Sequence, residues 1–469
     1  MLTKSWQMEA TAGSLFARPV HTVRVLASKL ASQPKESRQI AGPRHERIDA
    51  GMMPRLLTTQ QTPYIDLSAL PLDRIDVSDP RLYQHDCWYP LFERLRKESP
   101  VHYCAESAYG PYWSLSRYKD IVECEMDTQT FSSVSNSVQI QDKPPDKRFL
   151  NFLGMDPPAH TGQRRVVSPM FAPTGLRAMT ELIRERTRRV LDGLPRDREF
   201  DWVERVSIEL TTMMLATLLD FPFEERNRLT YWSDVAMTNV NAPGALVKSE
   251  QERFNVLREM SDYVGQLFSE RRKLPPGPNL LSMLAHGGAT QDMQPSEFMG
   301  TLVLLIVGGN DTTRNSMTGG LLALAEHPDE YRKLQQNHSL VHSLVPEIIR
   351  YVTPVIHMRR TAVKDITFGG KQIRAGDKVV MWYISGNRDP DAIERPNEFI
   401  IDRERPRQHL AFGYGIHRCL GSGLAELQLR ILWEELLQRF PMLEICGEPK
   451  RAYSNFLRGI HSMSVRISG

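Results

Sequence analysis

One cysteine of the chain, Cys419, lies in a segment whose composition and spacing could support chemistry at sulfur. The segment Phe412–Gly421 reads F-G-x-G-x-H-x-C-x-G, a pattern with a chance expectation of about 10⁻⁵ in a chain of this length. Its glycines allow a tight turn that brings backbone N–H groups close to the sulfur. A helix predicted from Leu424 to Arg439 follows, and its positive N-terminal end favours a thiolate, the form of cysteine that binds metals. The other four cysteines lack such surroundings and are expected to be inert thiols.

A second chemistry-bearing segment lies upstream, where an acid and two threonines follow a pair of glycines. The run Leu302–Thr313 ends in Gly-Gly-Asn-Asp-Thr-Thr. Local propensity predicts a strand, a Gly-Gly-Asn turn and a capped helix. In that interpretation Asp311 is a helix cap beside two neutral threonines.

Two pairs of polar side chains have helical spacing. Glu347 and Arg350 are three residues apart, which on an isolated helix is typical of an exposed pair worth about 0.3 kcal/mol. His160 and Arg164 are one helical turn apart. Taken alone, either pair could be solvated. Pro346, directly before Glu347, predicts a helix start or a kink.

Together these segments resemble the heme-thiolate monooxygenases, the cytochromes P-450, over roughly residues 70–469. The resemblance implies heme b as the cofactor and Cys419 as the axial ligand of its iron, since an electron-donating thiolate favours cleavage of the O–O bond of O2. It places Leu302–Thr313 in the middle of one long helix that crosses the heme. There the Thr312 hydroxyl can donate to the Gly308 carbonyl and open a local bulge. Asp311 and Thr312 are then the expected catalytic residues, which deliver protons during O2 activation.

The same resemblance implies the surroundings of the heme and of the substrate. Phe412 packs beside the ligand loop. The heme propionates are expected to contact four basic side chains: His160, Arg164, Arg360 and His417. A largely buried structural cluster behind the cysteine loop consists of Glu347, Arg350 and Arg403. The positions expected to face the substrate are Leu305, Ile306, Gly309, Val355, Ile356, Met358 and Phe456. None of them is charged, so an apolar substrate placed by shape is expected.

Three parts of the chain indicate a subgroup of this family. The segments that resemble the bacterial alkane terminal hydroxylases are Ile306–Met317, Lys378–Tyr383 with Ser385–Asp389, and Leu429–Glu435. The function this implies is terminal hydroxylation of medium-chain alkanes or fatty acids. Two alternatives stay open: hydroxylation of terpenoids or steroids, and a heme-thiolate sensor or binding protein that never activates oxygen. Asp311 and Thr312 argue against a sensor, which has no need of a proton relay.

Partners and mobile parts follow from the same resemblance. Electrons are expected from separate proteins, a [2Fe–2S] ferredoxin and an NAD(P)H-dependent ferredoxin reductase. Arg405, Arg407 and Arg418 are a candidate docking face near the ligand loop. The loop Val134–Phe149 is expected to cap the pocket as a solvent-facing lid. His357 is either a substrate contact or, as is commoner for a lone histidine, a packing residue.

The elements that must position these residues are mostly helices. The clearest helical patterns are Tyr89–Glu98, Leu176–Leu194, Ser207–Leu219, Gln251–Arg271 and Leu321–Gln335. Strands are predicted at Val379–Ile384 and within Thr361–Ala375, around a Gly369-Gly370 turn. The expected fold class is mainly α with small β-sheets. The resemblance makes it the cytochrome P450 fold, a single triangular-prism domain.

Composition narrows the class of protein further. The 469 residues carry a formal net charge of +3, with 41% hydrophobic and 25% charged residues, as in ordinary globular proteins. The bulk of the chain is near neutral, which argues against binding of nucleic acid. The best apolar window, Leu302–Val307, is far too short for a transmembrane segment. Five cysteines without a C-x-x-C pair, and no compact secretory signal, predict a cytoplasmic protein. We expect it to be a monomer.

The net positive charge is concentrated at the N-terminus. Residues 1–60 hold nine basic and four acidic residues. We predict a poorly ordered basic leader over residues 1–60 and a catalytic domain over residues 61–469. A second interpretation makes the leader a membrane-surface or partner-binding arm. A third starts translation at Met52 or Met53.

Overall fold

The computed structural model describes residues 70–134, 137–440 and 443–467, and all of them belong to one compact unit. The predicted leader, its boundary at residue 60 and the alternative start sites lie outside the described residues. The α-helices are α1 (Pro80–Gln84), α2 (Tyr89–Glu98), α3 (Tyr118–Met126), α4 (Ala159–Val167), α5 (Pro173–Asp192), α6 (Glu209–Leu219), α7 (Asn227–Met237), α8 (Glu250–Arg272), α9 (Leu280–His286), α10 (Pro295–Glu326), α11 (Pro328–Gln336), α12 (Val341–Val352), α13 (Tyr383–Gly386) and α14 (Ser422–Arg439).

The strands are short and form small sheets. They are β1 (Val101–Cys104), β2 (Tyr112–Leu115), β3 (Phe131–Ser132), β4 (Glu199–Asp201), β5 (Met358–Ala362), β6 (Ile366–Phe368), β7 (Lys371–Ile373), β8 (Lys378–Met381), β9 (Leu443–Ile445), β10 (Lys450–Arg451), β11 (Ile460–Ser462) and β12 (Ser464–Ile467). The fold class predicted from the sequence, mainly α with small sheets, is confirmed.

The largest sheet has five strands in the order β1-β2-β8-β5-β3. Strands β2 and β8 are parallel, and the other neighbours are antiparallel. The register of β5 on β8 pairs Arg360 with Val379, which fixes Arg360 in the middle of a buried sheet. A three-stranded sheet (β4-β12-β9) and two hairpins (β6-β7 and β10-β11) complete the β-structure of the described residues.

Helix α10 organises the helical part of the molecule. It is 32 residues long and contributes apolar side chains to two hydrophobic cores, one around Leu302 and Ile306 and the other around Met317 and Leu321. Local propensity is wrong for the run Leu302–Thr313, because burial among neighbouring helices outweighs the preference of its β-branched residues for strands. The helix assignment that follows from the family resemblance is correct.

Other boundaries show where local signals fail. Helix α2 matches the predicted range, whereas the predicted helix Leu321–Gln335 is two helices, because α10 ends before His327 and Pro328 opens α11. Helix α12 begins five residues before Pro346, so the predicted start there is wrong. Within the described ranges, no helix combines the length and the apolar composition needed to cross a bilayer.

Candidate active site

The cysteine loop is held in shape by two glycines and one backbone hydrogen bond. Gly413 and Gly415 have φ angles of +67° and +62°, and a Cβ on Gly415 would lie 2.8 Å from the Glu125 carbonyl oxygen. Only glycine fits this close approach without strain. The Cys419 N–H donates to the Phe412 carbonyl at 2.7 Å, which closes the loop directly before α14. The sequence therefore shapes the loop around Cys419 through backbone conformation.

Opposing effects act on the Cys419 thiol. Burial raises its pKa above the ordinary value for cysteine, while the backbone N–H groups of Gly421 and Ser422 and the side chains of Arg164 and Arg418 lower it in part. A metal cation at sulfur would favour the thiolate further, because thiolate is the ligating form. These amides and cations are the groups that stabilise negative charge on the sulfur.

Cys419 opens into a cavity, here called the cysteine cavity. Of the residues predicted to surround the cofactor, Arg164, Arg360, Phe412 and His417 line it together with Cys419. The opposite side is formed by α10, including Gly308, Gly309 and Thr312. The fold thus brings segments far apart in sequence around one space.

Basic side chains gather at one edge of this cavity. His160 is buried, and its ring centroid lies 4.5 Å from that of His417. Burial and the charge of Arg360 lower the pKa of His417 to about 2. Burial and the charge of Arg164 lower the pKa of His160. Arg164 donates to the Arg418 carbonyl at 2.5 Å. His160 does not line the cavity itself and lies behind His417.

This edge has the donors that an anionic group requires. Three ring nitrogens at this edge are buried: both of His160 and the Nδ1 atom of His417. None of the three has a hydrogen-bond partner among the described residues. Buried polar atoms are normally satisfied, so such atoms beside two arginines indicate a site for an acceptor. A flat apolar group with anionic substituents and a metal facing Cys419 fits this cavity, as heme does.

Helix α10 presents Thr312 to the cavity. The Thr312 hydroxyl donates to the Gly308 carbonyl at 3.1 Å. The prediction of a local bulge at this point is wrong, because α10 is α-helical throughout. A carbonyl oxygen has two lone pairs, so it can accept from the hydroxyl and keep its place in the helix.

Asp311 lies on a different face of α10 from Thr312 and does not line the cavity. It is 1% exposed, accepts from Arg314 at 2.5 Å and accepts from the Ser233 hydroxyl at 3.1 Å. Arg314 also donates to Asp234, a partly exposed carboxylate on α7, at 2.9 Å. Burial raises the pKa of Asp311 above the ordinary value, and the charge of Arg314 opposes this in part. The chain Asp234–Arg314–Asp311 connects solvent to the interior of the molecule.

A second cavity, here called the loop cavity, adjoins the cysteine cavity along Leu153, Leu304, Gly308, Thr312, Val355 and Met358. Its remaining walls come from the loop after β3, from α7 and from the segment before β11. The predicted pocket residues that line at least one of the two cavities are Leu305, Gly309, Val355, Met358 and Phe456.

Two predicted pocket residues face away from both cavities. Ile306 is 1% exposed and packs in the core, because it lies about 100° around α10 from Leu305. Ile356 is fully buried in another core beside β8, since neighbouring residues of an extended chain point to opposite sides. Neither residue lines either cavity, and their role as substrate contacts stays a prediction. Sequence reasoning missed Leu304 and Gly308, which the i, i+4 stripe through Thr312 could have found.

Glu347 joins two arginines in the interior. Its carboxylate accepts from Arg350 at 2.7 Å through both oxygens and from Arg403 at 3.0 and 3.2 Å. Glu347 and Arg350 are fully buried. Burial raises the pKa of Glu347, but the hydrogen bonds from both arginines outweigh it, so the pKa lies below the ordinary value. The surface-pair interpretation is therefore wrong for these residues.

His357 is a packing residue with both ring nitrogens satisfied. Nδ1 pairs with the Asn455 carbonyl at 2.9 Å, and Nε2 accepts from the Ile140 N–H at 3.0 Å. These partners require the neutral tautomer with the proton on Nδ1, and burial lowers the pKa to about 3. His357 thus ties the loop that lines the loop cavity to the segment that carries Phe456.

The loop expected to be a lid is also held by charge. The Asp142 carboxylate lies 2.5 Å from Arg359 and 3.1 Å from Lys378, both on the five-stranded sheet. Residues 135 and 136 of this loop lie outside the described part. The described part lines the loop cavity at Val134, residues 137–139, Lys143, Arg148 and Phe149.

Comparison with known proteins agrees with this geometry. The cytochrome P450 family model matches residues 110–464. The chain belongs to the cytochrome P450 family, as the resemblance of its motifs predicted. The cofactor of this family is heme b, and its enzymes are monooxygenases that receive electrons from redox partners.

Three relatives indicate where in the family the chain lies. A solved structure of cytochrome P450-153 from Novosphingobium aromaticivorans is 44% identical, with a TM-score of 0.78, covering 84% of this chain and 99% of that one. CYP153D17 from Sphingomonas sp. PAMC 26605 is 45% identical, with a TM-score of 0.80, covering 85% and 100%. The linalool 8-monooxygenase of Pseudomonas putida is 35% identical over 405 residues, which cover 84% of this chain and 99% of the relative.

Proposed function

We propose that this monooxygenase hydroxylates the terminal methyl group of medium-chain alkanes or fatty acids. The observation that carries the proposal is the apolar wall of the two adjoining cavities, where Leu305, Val355 and Met358 surround the space in front of Thr312. An apolar chain in this space is positioned by shape.

In this proposal Cys419 ligates the heme iron, and the thiolate supplies electron density that favours cleavage of the O–O bond. Arg164, Arg360 and His417 would hold the propionates through charge-assisted hydrogen bonds, with His160 packed behind His417. Phe412 packs beside the ligand loop.

Thr312 and Asp311 have separate tasks in the delivery of protons. The Thr312 hydroxyl faces the cavity; it donates its one proton to the Gly308 carbonyl, which leaves its oxygen to accept a hydrogen bond from a group in the cavity. Asp311 exchanges protons with solvent beside the Asp234–Arg314 ion pair, whose guanidinium stays charged and orients both carboxylates. Its raised pKa makes the protonated form easier to reach near neutral pH.

The structural cluster of Glu347, Arg350 and Arg403 supports the ligand loop from behind. Arg350 donates to the Asn387 carbonyl at 3.0 Å, and the Asn387 amide oxygen accepts from the Leu410 N–H at 2.6 Å. Through this chain of hydrogen bonds, the cluster fixes the backbone that leads into Phe412.

Electrons come from a [2Fe–2S] ferredoxin served by an NAD(P)H-dependent reductase. Arg405, Arg407 and Arg418 are exposed near the ligand loop, and Arg407 is paired with Glu426. An acidic ferredoxin is the partner that such a face attracts.

Hydroxylation of a terpenoid is the second candidate, because the relative from Pseudomonas putida acts on linalool. The discriminating experiment measures the low-to-high-spin shift with dodecane, dodecanoic acid, linalool and a steroid, followed by identification of the products. Terminal alcohols from the linear substrates support the proposal. Oxidation of linalool or of the steroid, without oxidation of the linear substrates, would replace this proposal.

If none of the substrates gives a product, the result favours the remaining alternative, a heme-thiolate sensor or binding protein that never activates oxygen. The carbon-monoxide difference spectrum of the reduced protein is the control for heme ligation. Its red-shifted thiolate band should be absent in Cys419→His.

A further inference from the structure

A buried carboxylate directly behind the cavity wall has no part in the function described so far. Glu125, near the end of α3, is 2% exposed. Its side chain accepts from Arg360 at 2.6 Å and from the Tyr383 hydroxyl. Both donors line the cysteine cavity, whereas Glu125 does not. Glu125 therefore lies one residue behind the edge where the basic side chains gather.

The cluster gives this carboxylate one cationic and one neutral donor. Burial lowers the pKa of Arg360, but Glu125 outweighs it, and the pKa lies above the ordinary value. Burial and the charge of Glu125 raise the pKa of the Tyr383 hydroxyl, which stays a neutral donor. An anion with two donors, one of them cationic, is the stable form of such a group in the interior.

The ligand loop is fitted around the same residue. A Cβ on Gly415 would meet the Glu125 carbonyl oxygen at 2.8 Å, and a Cβ on Gly413 would lie 3.5 Å from Oε1 of its side chain. Glu125 thus contacts the loop that carries Cys419 as well as the cation at the cavity edge. A lone glutamate on an amphipathic helix gives no sequence signal of this position.

We propose that Glu125 is a positioning residue that acts through Arg360 to lower the reduction potential of the heme. The inference rests on the proposed place of Arg360 at the propionates and not on the identity of the substrate. Reduction of the iron adds one negative charge to the cofactor, so an unbalanced guanidinium at its edge favours the reduced form. The Glu125 carboxylate offsets that guanidinium, and the effect is strong because both groups are buried.

The test is a spectroelectrochemical titration of the substrate-free holoprotein. Glu125→Gln keeps the size of the side chain and removes its charge, so the potential should shift to a more positive value. Glu125→Asp keeps the charge and should return the potential toward that of the unchanged protein. Tyr383→Phe removes a neutral donor from the same carboxylate and should shift the potential less than Glu125→Gln.

The matched control is Glu435→Gln. Glu435 is also a buried carboxylate held by arginines, but it does not line or adjoin the cavity. An equal shift in this control, or no positive shift in Glu125→Gln, overturns the proposal. If Glu125→Gln takes up no heme, Arg360→Gln replaces it. That variant leaves the carboxylate unbalanced and should shift the potential in the negative direction, and an unchanged potential there also overturns the inference.

The potential is measured without substrate and separates this inference from the proposed function. A positive shift in a protein that oxidises no linear chain keeps the role of Glu125 and rejects the substrate class. Terminal hydroxylation of a linear chain together with an unchanged potential keeps the substrate class and rejects the role of Glu125.

Discussion

At the scale of single residues, the site divides its tasks between neighbours that point in different directions. Thr312 faces the cavity, and Asp311, one residue earlier, faces Ser233 and Arg314 in the interior. The helix rotates by about 100° per residue, so the side chains of Asp311 and Thr312 point in different directions. A proton that passes from one to the other must therefore move around the helix.

Thr312→Ala should uncouple consumption of reductant from formation of product. The variant loses the hydroxyl that faces the cavity, and we expect the yield of product per NAD(P)H to fall about tenfold or more. Thr312→Ser keeps the hydroxyl and is the matched control. The measurement is the ratio of alcohol formed to NAD(P)H consumed in the reconstituted system. An unchanged ratio in Thr312→Ala would reject the proposed role of Thr312.

At the scale of elements, the two glycines of α10 differ in what surrounds them. A Cβ on Gly308 meets no atom within 4 Å, whereas a Cβ on Gly309 would lie 3.2 Å from Leu215. Gly308→Ala should stabilise the helix by about 1 kcal/mol and raise the melting temperature. The same methyl group enters the cavity and should weaken the binding of substrate. Thermal unfolding and a spin-shift titration measure the two effects, with Gly309→Ala as the comparison that should gain less stability.

Helices α5 and α14 are joined by a charged cluster that should lose its stabilising effect at acid pH. Glu435 pairs with Arg184, Arg188 and Arg439. Burial raises its pKa, but the hydrogen bonds from the arginines outweigh this and lower it to about 2. A lowered carboxyl pKa contributes stability that is present above the ordinary value and is lost as pH falls toward 2. The contribution is on the order of 3 kcal/mol.

The stability of the unchanged protein should therefore fall more steeply between pH 5 and pH 3 than that of Glu435→Gln. Melting temperatures of both proteins across this range test the prediction. The gap between them should be largest near neutral pH and narrow in acid. A gap that stays constant with pH would show that Glu435 acts through packing alone.

The sequence predicted the elements that carry a fixed motif and missed those set by packing. The loop around Cys419 could be found because its residue types and spacing are unusual, whereas the Glu347 cluster was implied only by the family resemblance. The orientation of Ile356 could not be predicted, because an apolar side chain fits the wall of a cavity and a hydrophobic core equally well. Glu125 could not, since its partners Arg360 and Tyr383 are more than 200 residues away. Long-range contacts of this kind have no local pattern.

At the scale of the whole molecule, one face should decide how fast electrons arrive. Arg405 and Arg407 are exposed, and Arg407 pairs with Glu426 at 2.8 Å. Reversal of both charges (Arg405→Glu with Arg407→Glu) should slow reduction by ferredoxin about tenfold at low salt and flatten its dependence on ionic strength. Stopped-flow reduction at several salt concentrations measures both.

The control for this surface is Arg74→Glu. Arg74 is an exposed arginine paired with Glu106 at 3.3 Å near β1, far in sequence from the ligand loop. Its reversal should leave the rate and the salt response unchanged. Equal effects from the two reversals would mean that net charge, and not the face around Arg405 and Arg407, governs the encounter.

The hydrogen bonds of His357 make the two walls of the loop cavity mechanically dependent on each other. One ring holds the backbone of Ile140 on one side and that of Asn455, next to Phe456, on the other. A change that moves either segment must strain or break a bond to the same rigid group. Substitutions at Val138 and Phe456 made to reshape the cavity should therefore be non-additive. A search for altered selectivity would gain from varying both walls at once.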